Sequence, residues 1–113
     1  MNKDNTAYLK LILDACLKIR SYTVGMTKQD FLSDNKTQSA VIMQIQIIGE
    51  LAKKVPDNMR ESISLPWKQI AGMRDFIAHD YFNLDLESAW QTVEVSVPEA
   101  EDRIRKYLEL QNK

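Results

Sequence analysis

The chain has 113 residues, 44% of them apolar and 27% charged, which suits one globular domain over residues 1–113 and argues against a second. Its 15 basic and 16 acidic side chains leave a formal net charge of −1, so no global field draws it to nucleic acid or anionic lipid, and any RNA binding must be local. Cys16 is the only cysteine, which excludes a disulfide framework and a thiolate metal cluster; it reads as a small buried hydrophobe. No secretory leader pattern opens the chain and no apolar run approaches the roughly 20 residues of a bilayer span, so the expectation is a cytoplasmic protein with no membrane partner.

From Asp4, a plausible N-cap, Leu9, Ile12, Leu13, Cys16 and Ile19 recur at three- and four-residue steps, predicting an amphipathic helix to about Tyr22 that Gly25 ends. Thr27-Lys-Gln-Asp30 resembles a capping box and opens a short helical turn carrying Phe31 and Leu32. From about Thr37 to Lys54 the sequence is apolar around most of its circumference, which a helix tolerates only if more than one face is covered; a dimer interface is one way to cover it. After a turn at Pro56, Ser64-Leu-Pro66-Trp67 reads as a helix start, with Ser64 as cap, leading through Ile70, Met73, Phe76 and Ile77. Asp85 begins another helix with Ala89, Trp90 and Val93, and Ser96-Val-Pro-Glu99 reads as a capping box for a last one through Ile104, Tyr107 and Leu108. The sum is an all-α domain of four to five main helices. Trp67 and Trp90, at helical spacing beside Ile70 and Val93, are expected in the core rather than stacked on bases. Lys53, Lys54, Arg60 and Lys68 are expected at ordinary solvated positions.

The one histidine, His79, stands five residues after Arg74 and two before Tyr81, where a helix gives way to a loop near Asn83. Histidine exchanges a proton near neutral pH, arginine clamps a phosphate, and a tyrosine hydroxyl can donate, accept or be modified. Together these suit phosphodiester cleavage in which the neighbouring 2′-hydroxyl attacks phosphorus, chemistry that requires no metal or other cofactor. Residue types alone favour a plain structural role, with His79 capping or packing a helix C-terminus and Arg74 paired to Asp75 or Glu50. His79 with Asp75 and Asp80 has no standard zinc spacing. On one regular helix Arg74 and His79 diverge by roughly 140°, while Arg74 and Tyr81 nearly share a face. Either the helix ends before His79 and the chain turns it back, or a second subunit completes the site across a two-fold axis.

Arg74-Asp-Phe-Ile-Ala-His79-Asp-Tyr81 fits the Arg, four residues, His, one residue, Tyr pattern of the HepT-like branch of the HEPN family, and the likeness covers nearly the whole chain. It includes Asp4, Leu9, Ile12, Tyr22-Thr-Val-Gly25, Phe31, Ala40-Val41, Ile48-Gly49-Glu50, Trp90 and the run from Pro66 to Met73. The resemblance implies a homodimeric HEPN-type helical bundle, the toxin half of a toxin-antitoxin pair. It implies a metal-independent endoribonuclease acting on RNA and not DNA, with a composite site built from Arg74 and His79 of both subunits. On that reading His79 is the acid/base, Arg74 stabilises the scissile phosphate and Asp75 has a supporting role. The resemblance also implies a minimal nucleotidyltransferase partner of the MntA type that neutralises the toxin by transferring AMP to Tyr81. The other reading open at this point is a non-catalytic HEPN partner that binds nucleotide or presents substrate to a nucleotidyltransferase.

Overall fold

The apolar stripes of the sequence become three long helical rods, with short helices set between them. A computed structural model describes residues 6–80 and 83–112, with Arg74, Phe76, Ala78, His79, Asp80 and Asn83 described through their backbone. Helix α1 runs over Ala7–Thr23 and buries Leu9, Ile12, Cys16 and Ile19, the predicted stripe. Asp4, expected as its cap, lies outside the described residues; Thr6 precedes the helix and makes no side-chain cap bond. Gly25, at φ +77°, supplies the left-handed turn that separates α1 from α2, Lys28–Leu32. The predicted capping box is present there: Thr27 Oγ1 accepts from the Asp30 amide at 3.1 Å, and the Asp30 carboxylate accepts from the Thr27 amide at 3.0 Å.

Helix α3, Asn35–Ala52, starts slightly earlier than its apolar pattern because Asp34 caps it, accepting from the Thr37 amide at 3.1 Å. The need to cover more than one face is met largely within the chain, since α3 contacts α1 as well as α5 and α6. Met43 and Ile47 remain 55% and 37% exposed. Helix α4, Asp57–Ser62, follows Pro56. Helices α5, Trp67–Ala71, and α6, Met73–Ile77, replace the single helix predicted here, because the chain breaks at Gly72. Ser64 does not cap α5: Pro66 holds the N-cap position, and the Ser64 carbonyl accepts from Arg103 instead. A short antiparallel hairpin, β1 at Ala78–Asp80 and β2 at Asn83–Leu84, stands where a plain loop was expected, a small local addition to an all-α bundle.

Helices α7, Leu86–Gln91, and α8, Val97–Gln111, are joined through a π-helical turn at Thr92–Ser96 rather than separated. Ser96 makes no side-chain cap bond, so the predicted capping box is not used. Pro98 lacks an amide hydrogen and its ring would crowd the carbonyl four residues back in a regular helix. The wider π turn, in which the Val97 amide bonds to the Thr92 carbonyl, absorbs that mismatch. Val93, Val97, Ala100 and Ile104 are buried along the rod, and a true stop would withdraw part of this row from the core.

The molecule measures 47 × 28 × 19 Å, and the short dimension fits two helix layers of about 10 Å each. Between the layers, Phe31 and Trp90 pack with ring centroids 5.3 Å apart, joining α2 to α7. Glu101 on α8 is buried and accepts from Arg20 at 2.7 Å and Arg105 at 3.0 Å, which fastens α8 to α1. Burial, and then the nearby Glu101 charge, push the Cys16 thiol up to about 12, in keeping with a packing role.

Gly49 sets how closely α3 approaches the helix before the motif. A Cβ there would sit 3.2 Å from the Ala71 carbonyl oxygen and 3.5 Å from that of Ile70. Gly49→Val is therefore expected to destabilise by about 1–3 kcal/mol through overpacking, lowering Tm in thermal unfolding by at least about 4 °C. An unchanged Tm would show that this approach is not tight.

Candidate functional site

The segment from Gly72 to Asp85 is shaped by four backbone decisions. The Gly72 amide bonds to the Lys68 carbonyl at 3.1 Å, closing α5, and the Asp75 amide bonds to the Gly72 carbonyl at 2.9 Å, opening α6. Arg74 and Asp75 thus lie in the first turn of α6, while Ile77, buried to 1%, anchors its end in the core. The chain then leaves the helix as β1, with His79 at its middle, and returns as β2. Finally the Asp85 amide bonds to the Ile77 carbonyl at 2.7 Å, so the two ends of the segment are pinned together.

His79 is therefore off the helix that carries Arg74, and the 140° divergence calculated for one regular helix does not apply. Of the two sequence alternatives, a helix ending before His79 is what the backbone does, and this leaves a two-fold assembly open. Asp75 is exposed. Tyr81, like the side chains of Arg74 and His79, lies outside the described residues. Glu50, considered as a partner for Arg74, pairs with Lys53 at 3.3 Å.

Asp85 serves the segment a second time. Its carboxylate accepts from the Ser88 amide at 3.0 Å and the Ser88 hydroxyl at 2.8 Å, capping α7. Those bonds, the amide's first and the hydroxyl's second, hold its carboxyl below the ordinary aspartate range. The sequence announced this cap. It did not announce the bond to Ile77, because backbone pairing across a turn leaves no side-chain signature.

The remaining sequence candidates settle into structural positions. The Trp67 indole donates to the Arg60 and Ile63 carbonyls at 3.1 and 3.0 Å, and Trp90 is buried, so both serve the core. Arg60 donates to the Val55 carbonyl at 3.0 Å and pairs with Asp57 at 3.2 Å. Lys53, Lys54 and Lys68 are exposed. Among the described residues, no group of three His, Cys, Asp or Glu side chains is placed to hold a metal ion, and no helix is long and apolar enough to cross a membrane.

A family model described as ribonuclease HepT-like matches residues 12–107. The chain belongs to the ribonuclease HepT-like family. Among its relatives is a Thermococcus cleftensis protein that carries the name "Probable ribonuclease HepT", 36% identical over 107 residues, which cover 94% of this chain and 97% of that one. Another, from Methanocaldococcus jannaschii, is named for gamma-glutamylcyclotransferase and, provisionally, RNase; it is 39% identical over 110 residues, covering 96% of this chain and 50% of that protein. The HepT-like chain thus spans half the length of this second relative. No solved structure matches it significantly. The matched residues span the pinned segment.

The role of Asp85 in that scaffold has a definite pH signature. Its carboxyl is held below its unfolded value of about 3.9, so the cap's contribution is full above that value and is lost as pH falls through the lower folded value. Asp85→Ala should melt below the wild type at pH 7, and the gap should narrow as the pH is taken towards 3 and below. A gap that stays constant with pH would mean that the carboxylate is not the stabilising group.

Proposed function

We propose that this chain is a metal-independent endoribonuclease, the toxin component of a toxin-antitoxin pair, acting as a cytoplasmic homodimer. What carries the reading is the family match, which includes the whole of the motif from Arg74 to Tyr81. His79 takes the proton of the 2′-hydroxyl as that oxygen attacks phosphorus, and a protonated histidine returns a proton to the departing 5′-oxygen. The products are a 2′,3′-cyclic phosphate and a free 5′-hydroxyl. Arg74 offsets the charge that builds on the phosphoryl oxygens through charge-assisted hydrogen bonds. Asp75, adjacent in the same turn, orients Arg74.

The site is composite, with Arg74 and His79 of both subunits brought together across a two-fold axis. The exposed Met43 and Ile47 on α3 support a second copy docking on this bundle. RNA cutting should persist in EDTA, and Arg74→Ala or His79→Ala should each lower the rate by at least about 100-fold, with the melting temperature retained. Cutting at wild-type rate by both variants would sink the assignment.

Tyr81 is the control point. A separately encoded minimal nucleotidyltransferase transfers AMP to its phenolic oxygen, which attacks the α-phosphorus of ATP and displaces pyrophosphate. The added bulk and negative charge, two residues from His79, keep an RNA phosphate out. Co-expression with such a transferase should add one or more adenylate masses to the peptide containing Tyr81 and stop cutting. An adenylated Tyr81 in a protein that still cuts at full rate would refute the control role.

A further inference from the structure

Asp85 lies six residues after His79, where a carboxylate could be taken for a direct partner of the imidazole. The structure commits its oxygens elsewhere. One accepts from the Ser88 amide at 3.0 Å and the other from the Ser88 hydroxyl at 2.8 Å. The Asp85 carbonyl accepts from the Ala89 amide at 3.0 Å, and the Asp85 amide donates back to the Ile77 carbonyl at 2.7 Å. Every hydrogen-bonding group of this residue is therefore engaged, the carboxylate and carbonyl forward into α7 and the amide backward to the end of α6.

The forward and backward bonds depend on each other through the torsions of one residue. At φ −90° and ψ 87°, Asp85 stands outside the helical region, and that shape turns the chain from β2 into α7. The side-chain bonds hold it there. Without them the first turn of α7 frays and residue 85 is free to rotate, so that its amide exchanges the Ile77 carbonyl for water. Neither neighbour can yield instead. Ile77 is buried in the core, and α7 is fixed against α2 by the Phe31 and Trp90 rings and by the ion pair of Glu87 with Lys28. Loosening at Asp85 is therefore passed to the short segment between them, where His79 stands at the middle of β1.

We propose that Asp85 is a positioning residue for the cleavage step: by capping α7 it keeps the backbone bond to Ile77 closed and the His79 segment in place, without itself touching RNA or the imidazole. The proposal rests on the ribonuclease reading above for its chemistry and on the bonds around Asp85 for its geometry. A misplacement of about 1 Å can cost a catalytic group about 100-fold in rate. Substrate binding, in which His79 has no assigned part, is spared.

A plain structural role would lower stability and leave turnover by the folded protein unchanged. In the full-length chain, at a temperature where circular dichroism shows each variant folded, Asp85→Ala should lower kcat for RNA cleavage by at least about 10-fold and leave KM within about 3-fold. Hydrogen exchange at the residue 85 amide should quicken by about 5-fold, the effect of a lost cap. Asp85→Asn, whose side-chain oxygen can accept the same bonds, should restore both and leave the pH profile of kcat in its wild-type position. Should Asp85→Ala not fold, Ser88→Ala, which loses only the hydroxyl bond, carries the same test at about 3-fold in kcat. Wild-type kcat in folded Asp85→Ala, or in Ser88→Ala where that variant stands in for it, would overturn the proposal. So would an Asp85→Asn protein as slow as Asp85→Ala, or one with a displaced pH profile, since the charge would then act on the reacting groups directly. A wild type that cuts no RNA would remove the ribonuclease reading and this role together; a wild type that cuts, with Asp85→Ala as fast, would remove this role alone.

Discussion

The backbone hydrogen bond from the Asp85 amide to the Ile77 carbonyl joins the two ends of the segment that carries His79 and, in sequence, Tyr81. Ile77 is sealed in the core, and Asp85 opens the helix that packs beneath Phe31 through Trp90. Both stems of the segment therefore stand on rigid elements, and the entropy of closing a loop this short is offset by folding the bundle rather than by binding substrate. Gly49 acts one step earlier. By letting α3 touch the last turn of α5, it sets where α6 begins and hence where Arg74 stands. The site is built from closures of backbone against backbone, with the chemistry-bearing side chains added to that frame.

Much of this was legible in residue patterns. The stripe Leu9, Ile12, Cys16, Ile19 gave α1 its buried face, and Thr27 with Asp30 and the Asp85 cap marked helix starts that are in place. Trp67 and Trp90 were assigned to the core from their spacing, and they lie there. These features are local, set by residues three or four apart, which is the range over which sequence periodicity carries information. The motif itself was visible as a cluster of residue types, and a family resemblance gave it meaning.

What was missed depends on partners distant in sequence. Ser96-Val-Pro-Glu99 has every local mark of a helix start, yet the buried row from Val93 to Ile104 outweighs it, and the helix keeps going by widening into a π turn. Gly72 within an apolar pattern looked tolerable in a continuous helix, but the chain breaks there beside the close approach of α3. The hairpin after Ile77 is held by backbone pairing that no side-chain pattern encodes.

The ribonuclease HepT-like family provides the chemistry that this frame suits. A chain of net charge −1 has no general attraction for RNA, so any binding of RNA must be local. The proposed site draws Arg74 and His79 from both subunits, which makes assembly itself a condition of activity. A heterodimer of one wild-type subunit and one Arg74→Ala, His79→Ala subunit, purified through two different tags, tests this directly. A composite site predicts RNA cleavage near background, since neither half can be completed. About half the wild-type rate would show that each subunit holds a whole site of its own and would contradict the account.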